Sequence, residues 1–247
     1  MSKILLWIAD NSKETIFSLV LGGLITTIYQ NRKNIVMWIK TFFQKEKEFR
    51  ISYAYLFRIK IENKYLLIKG KRIEQYQPVG GVFKYYNSFI DKYNLWEIKA
   101  EKNSNFFEEK DLRIFVKGKY LTKFLDWIET NQNRECDCKR EFIEELIVPG
   151  YLQKDAINNI QFEFLKRVNS GIHYSAHFKC QEILIFDIYE VSNLSESNTS
   201  YLKQKIMEND DLILVTAEDI EKQCVQINDL SRKTHLIKQD IDIINVK

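Results

Sequence analysis

Little in this sequence breaks a chain: two prolines and eight glycines in 247 residues argue against long disordered linkers. Cysteine is scarce as well, with Cys136, Cys138, Cys180 and Cys224 scattered and no CxxC pair. That spacing matches neither a disulfide framework nor a zinc knuckle, so free thiols in a reducing compartment are expected. A broad basic face is also missing. The small positive balance comes from the first fifty residues, where Lys3, Lys13, Arg32, Lys33, Lys40, Lys45, Lys47 and Arg50 face only Asp10, Glu14, Glu46 and Glu48. The rest is nearly neutral, which excludes a nucleic-acid polymer as the expected partner. What is plentiful is apolar and aromatic material, 45% and 13%, enough for a packed core.

One apolar run stands out. Seventeen uncharged residues, TIFSLVLGGLITTIYQN, lie between Glu14 and Arg32. As a helix they reach about 26 Å, slightly under a hydrocarbon core of about 30 Å. Arg32, Lys33 and Lys40 follow the run, so a single transmembrane helix with the body on the cytoplasmic side is expected. Trp38, Phe42 and Phe43, in a basic amphipathic stretch, would then contact membrane lipid. A buried core helix and a signal peptide are the alternatives, the second lacking a small-residue cleavage site. Ser18, Gly22 and Thr26 recur every four residues, a stripe through which helices of a homo-oligomer could associate.

The texture changes near residue 51, dividing residues 1–50 from a body at 51–247. SYAYLFRIKI and KYLLIKGKRI read as antiparallel strands joined at Glu62-Asn63. Pro78 and Gly80-Gly81 end the next extended segment. Residues 84–133 contain a strand-like LRIFVKG and a helical YLTKFLDWIET. RECDCKREFIEELI (134–147) predicts an amphipathic helix ending before Pro149-Gly150. IQFEFLKRV and HFKCQEILIFDIYEV read as strands, 192–209 as a polar connection, DLILVTAEDIEKQ as a strand entering a short helix near Thr216, and DIDIINVK as a final strand. The class is α+β: a mixed sheet flanked by helices.

On the 134–147 helix, Glu141, Glu144 and Glu145 share one face at i, i+3, i+4 spacing. Like charges so close repel unless solvated or given a cation, and oxygen-only ligands suit a hard ion such as Mg²⁺. Arg140 beside them is placed to orient a carboxylate. A solvated acidic face is the alternative.

Pro78-Val79-Gly80-Gly81 followed by Arg140-Glu141-Phe142-Ile143-Glu144-Glu145 resembles the Nudix family, whose box combines GG with RExxEE. The resemblance covers roughly residues 52–225. It implies a Nudix-like fold, with Glu141, Glu144 and Glu145 as metal ligands, Arg140 as their partner, and Gly80, Gly81 and Arg140 at a nucleotide site. Three departures stand beside it. Gly81 and Arg140 are 59 positions apart, so an insertion (84–133) splits the box. The position of its first glutamate falls on Gln132, and Leu146-Ile147-Val148 replaces its last glycine. A split box behind an N-terminal apolar segment resembles the Nudix-type domains of bacterial cyclic-oligonucleotide antiphage signalling (CBASS). That resemblance implies an effector that binds a cyclic nucleotide, assembles through its single-pass membrane segments and breaches the bacterial inner membrane. The alternative is a membrane-tethered, Mg²⁺-dependent hydrolase of nucleoside diphosphate derivatives.

Other residues carry weaker signals. Arg232 and Lys233, with His235, form a basic cluster suited to phosphates. His173 and His177 read as polar or pocket-lining residues without a metal. Tyr85, Tyr86, Tyr93 and Trp96 read as core aromatics, with base stacking as the alternative.

Overall fold

The computed structural model describes residues 18, 20–29, 32–70, 75–101, 110–222, 224–226 and 233–235. Residues 20–29 are helical, and α1 (Arg32–Phe43) follows. The strand-like final residues 240–247 of the sequence lie outside the described residues.

β1 (Glu48–Ile61) is the axis of the molecule. Its side chains are buried on both faces over most of fourteen residues, as expected for a central strand made of a near-continuous apolar run. One edge pairs in parallel with β8 (Cys180–Ser192), from Arg50↔Glu182 to Ile59↔Val191. The other edge is shared by three partners. Glu48–Ser52 pairs with β5 (Arg113–Lys117), and Lys60 and Ile61 pair with β2 (Lys64–Lys69). Between these contacts the 79–83 segment bridges at Phe57↔Val79 and Ala54↔Val82. The β1–β2 turn is made at Glu62, whose φ of 58° is the left-handed conformation a tight hairpin needs.

The remaining strands extend this frame. β3 (Tyr76–Pro78) and β9 (Leu212–Val215) flank β2, β4 (Lys99–Ala100) flanks β5, and β6 (Gln161–Asn169) and β7 (His173–Ser175) pair with β8. All nine belong to one mixed sheet, while β10 (Cys224–Gln226) and β11 (Lys233–His235) form a separate pair. Residues 84–133 are built into this sheet through β5 rather than hanging from it. They also carry α2 (Ile90–Leu95) and α3 (Gly118–Glu129). Phe89, Trp96, Phe124 and Trp127 pack there into an aromatic cluster, Phe89 and Trp127 stacked at 4.1 Å. Tyr85 and Trp96 are buried core residues, whereas Tyr86 is exposed.

The helix expected over 134–147 begins five residues late. Arg134 bridges Tyr85 and the Glu135 N–H donates to Lys84 O at 2.8 Å, so this backbone is spent on a strand contact. Helix α4 (Lys139–Phe142) continues as a π-turn, Ile143–Ile147, with Val148 N–H donating to Ile143 O at 2.8 Å. Phe142 and Leu146 are fully buried, Phe142 meeting Phe57 edge-on at 5.5 Å. A further helix, α5 (Glu196–Glu208), occupies the stretch read as a polar connection. It buries only Asn198 and Leu202, too few for a periodic apolar signal. The short helix α6 (Ala217–Glu221) starts at Thr216 with a full capping box to Asp219.

The expectation of a single-pass inner-membrane protein needs correction. Among the described residues no helix is long and apolar enough to cross a membrane. Arg32 opens α1, and the described helical stretch 20–29 before it is ten residues, about 15 Å, well under a hydrocarbon core of about 30 Å. Within it Thr26 and Thr27 turn their hydroxyls back onto Gly22 O and Gly23 O at 2.8 Å.

Candidate functional site

One cavity of about 710 Å³ opens beside β1. Arg50, Ser52, Ala54 and Leu56 line its floor, alternate residues of one strand face, and β8 adds Glu182, Leu184 and Phe186 from the neighbouring strand. Gly80, Gly81, Arg140, Glu141, Glu144 and Glu145 all lie in its wall. The two halves of the split motif therefore face one cleft, although the chain between them builds two strands and two helices.

The glycines are needed for close approach. A Cβ at Gly80 would lie 2.0 Å from Tyr55 O and force the 79–83 segment off β1. A Cβ at Gly81 would lie 1.2 Å from Glu141 Oε1. Gly81 is thus the seat of the Glu141 carboxyl group.

Arg140 organises the carboxylates. Its Nε and Nη2 donate to the two oxygens of Glu135, both at 2.7 Å. Nη1 meets Glu144 Oε2 at 2.6 Å and Glu141 Oε2 at 2.7 Å, and Nη2 also reaches Val82 O at 3.2 Å. A guanidinium has five N–H groups; this one makes four hydrogen bonds and an ion pair with Glu141. Glu144 Oε1 lies 3.9 Å from Lys84 Nζ. Burial pushes the Glu141 carboxyl up to about 7, and Glu144 and Glu145 push the same way while Arg140 opposes them.

Glu135 was invisible to position counting, which led to Gln132. Gln132 is exposed in the turn after α3, between Asn131 and Asn133, both at positive φ. In the extended stretch that follows, neighbours point to opposite sides. Arg134 stacks over Tyr53 and Phe83, 4.9 Å from each ring centre, while Glu135 turns to Arg140.

The resemblance implies Mg²⁺ at Glu141, Glu144 and Glu145. Their donor chemistry suits it, but their arrangement does not fit. The oxygens of Glu141 and Glu144 that would share an ion both point at Arg140 Nη1. Among the described residues no group of three or more His, Cys, Asp or Glu side chains is placed to hold a metal.

Besides Arg140, the cations in the cavity wall are Lys69, Lys84, Arg113 and Arg50, from β2, the 79–85 segment, β5 and β1. None was singled out as a site residue in the sequence, and each stands alone there; pairing along β1 is what gathers them. Arg232, expected to meet phosphates, lies outside the described residues, and of Lys233 only its backbone place at the start of β11 is described. At the far end Arg50 lies over Phe178, 3.8 Å from the ring centre, and donates to Glu182 at 2.8 Å. Ser175 and His177 complete that end. His173 sits behind it, its Nε2 3.1 Å from Glu182.

The family model of the SMODS-associated NUDIX domain matches residues 48–244. No curated protein matches the chain. Among solved structures, a NUDIX hydrolase from Nitrosomonas europaea matches at 12% identity, covering 78% of this chain and 87% of the other, with a TM-score of 0.28.

Proposed function

The chain belongs to the SMODS-associated NUDIX family, and from that premise we propose that it is a CBASS-type effector whose cavity captures a cyclic oligonucleotide. The observation that carries this reading is the shape and lining of the cavity. From Arg50 to Leu56 its floor follows six residue steps of strand, about 20 Å, longer than a single nucleotide requires. Lys69, Lys84 and Arg113 supply charge for phosphates along that length. The Phe178–Arg50 stack and the oxygens of Glu182 and Ser175 offer stacking and hydrogen-bond partners for a base at one end.

Binding rather than hydrolysis is the favoured activity, because Arg140 neutralises the carboxylates that would otherwise be left for chemistry. Capture of the ligand would promote association of copies. The helix of residues 20–29 is the proposed contact, carrying the Gly22–Thr26 stripe and exposing Val20, Leu21, Leu24, Ile25 and Ile28.

Calorimetric titration of the full chain with cyclic di- and trinucleotides tests the proposal, alongside sedimentation with and without each ligand. One ligand should saturate one site per chain and raise the mass of the assembly. Absence of binding across the panel, together with Mg²⁺-dependent turnover of nucleoside diphosphate derivatives that Glu145→Gln abolishes, would establish the hydrolase instead.

A further inference from the structure

We propose that Arg140 permanently holds the place a divalent cation would take, so that the cavity does its work without a metal. This deepens the ligand-binding reading above and rests on it, but the ion pairs that carry it are independent of any ligand.

Three features lead to it. The guanidinium is ringed by oxygens: Glu135 accepts from Nε and Nη2, Val82 O from Nη2 and Glu144 from Nη1, with Glu141 ion-paired to Nη1. Such a group is fixed by both charge and planar geometry, and does not swing aside as a single-point ammonium does. The second feature is position. Nη1 lies 2.6 and 2.7 Å from the Glu144 and Glu141 oxygens, which face it from the same helix. An ion bridging those oxygens would meet Nη1. The third is the anchoring of Glu135. Its N–H is tied to Lys84 O, and its neighbour Arg134 donates to Ile128 O at 3.0 Å and to Glu135 O at 2.9 Å. The clamp on Arg140 is therefore set by backbone contacts between the 84–85 and 134–135 segments, not by a mobile side chain alone.

Mn²⁺ alone is the probe, titrated into the full chain at neutral pH and followed by its electron paramagnetic resonance signal and by calorimetry. Wild type should show no saturable site. Arg140→Gln releases Glu141 and Glu144 and should bind Mn²⁺ at least ~10-fold more tightly, the scale on which a neighbouring unit charge acts near a protein surface. Arg140→Lys is the second variant. It keeps the charge and the fold but spans fewer oxygens, and should gain an intermediate affinity. Saturable Mn²⁺ binding by wild type that Glu144→Gln removes would overturn the proposal. So would a folded Arg140→Gln or Arg140→Lys protein with no gain. Neither result depends on whether a cyclic oligonucleotide binds, so the two proposals fail separately.

Discussion

Glu141 lays its carboxyl group against the backbone of Gly81, in the space a methyl group would fill: a Cβ there would lie 1.2 Å from Glu141 Oε1. The contact joins two pieces of the chain that the sequence holds far apart, and it accounts for the glycine without appeal to a special backbone angle. Gly81→Ala should destabilise the protein by about 1–3 kcal/mol, the usual cost of overpacking a filled site. Glu141→Ala removes the obstructing side chain. The double variant should therefore be more stable than the sum of the single effects implies, by roughly 0.5–3 kcal/mol. Urea unfolding of the four proteins measures this, and strict additivity would mean that the contact is absent.

The same carboxyl predicts how stability changes with pH. Burial holds Glu141 near 7, against an ordinary value of 4.5. Below 4.5 both folded and unfolded chains carry the proton. Between 4.5 and 7 only the folded chain keeps it, so stability falls as pH rises through that window and levels off above it. The full effect is on the order of 3 kcal/mol for a group this buried. Glu141→Gln should flatten that part of the profile, as followed by thermal unfolding across pH 4 to 8. An unchanged slope would place the carboxylate in water.

How much of this was legible in the chain depends on how local each signal is. The β1–β2 hairpin, the Gly80-Gly81 pair and the carboxylates of α4 announce themselves within a few residues. Glu135 does not. Counting back from Arg140 to Gln132 assumes a regular spacing, and the bridge between Tyr85 and Arg134 replaces it with extended backbone. Lys69, Lys84 and Arg113 are unremarkable in sequence because three different strand contacts bring them together. The polar helix α5 buries too little to show a period, and the apolar run near the N-terminus suggested a span that no described helix is long and apolar enough to make.

Ligand affinity should respond to those gathered cations more than stability does. Lys84 is part-exposed and only 3.9 Å from one carboxylate oxygen, a weak surface pair. Lys84→Ala should weaken binding of the cyclic oligonucleotide by about tenfold, equivalent to about 1.4 kcal/mol. The urea midpoint should stay within about 0.5 kcal/mol of wild type, as for most surface changes. Added salt should weaken wild type more than the variant, because screening acts on charge pairs. Equal salt sensitivity in both proteins would show that Lys84 does not face the phosphates.

Arg50 stands in the opposite regime. It is almost fully buried, donates to Glu182 at 2.8 Å and to both oxygens of Glu101 at 3.2 Å, and stacks on Phe178. Two buried carboxylates, Glu101 and Glu182, share this cation, with His173 as a partly exposed second partner for Glu182. Arg50→Met should cost about 3–5 kcal/mol, chiefly because it takes the shared cation from two buried charges rather than because the ion pair itself is strong. If that is the cause, adding Glu101→Gln and Glu182→Gln to Arg50→Met should restore much of the loss, since neutral amides can be buried where lone carboxylates cannot. Urea midpoints of the single and triple variants decide the matter. A triple variant less stable than Arg50→Met alone would show that the packing of Arg50 on Phe178, not charge balance, holds this end of the cavity together.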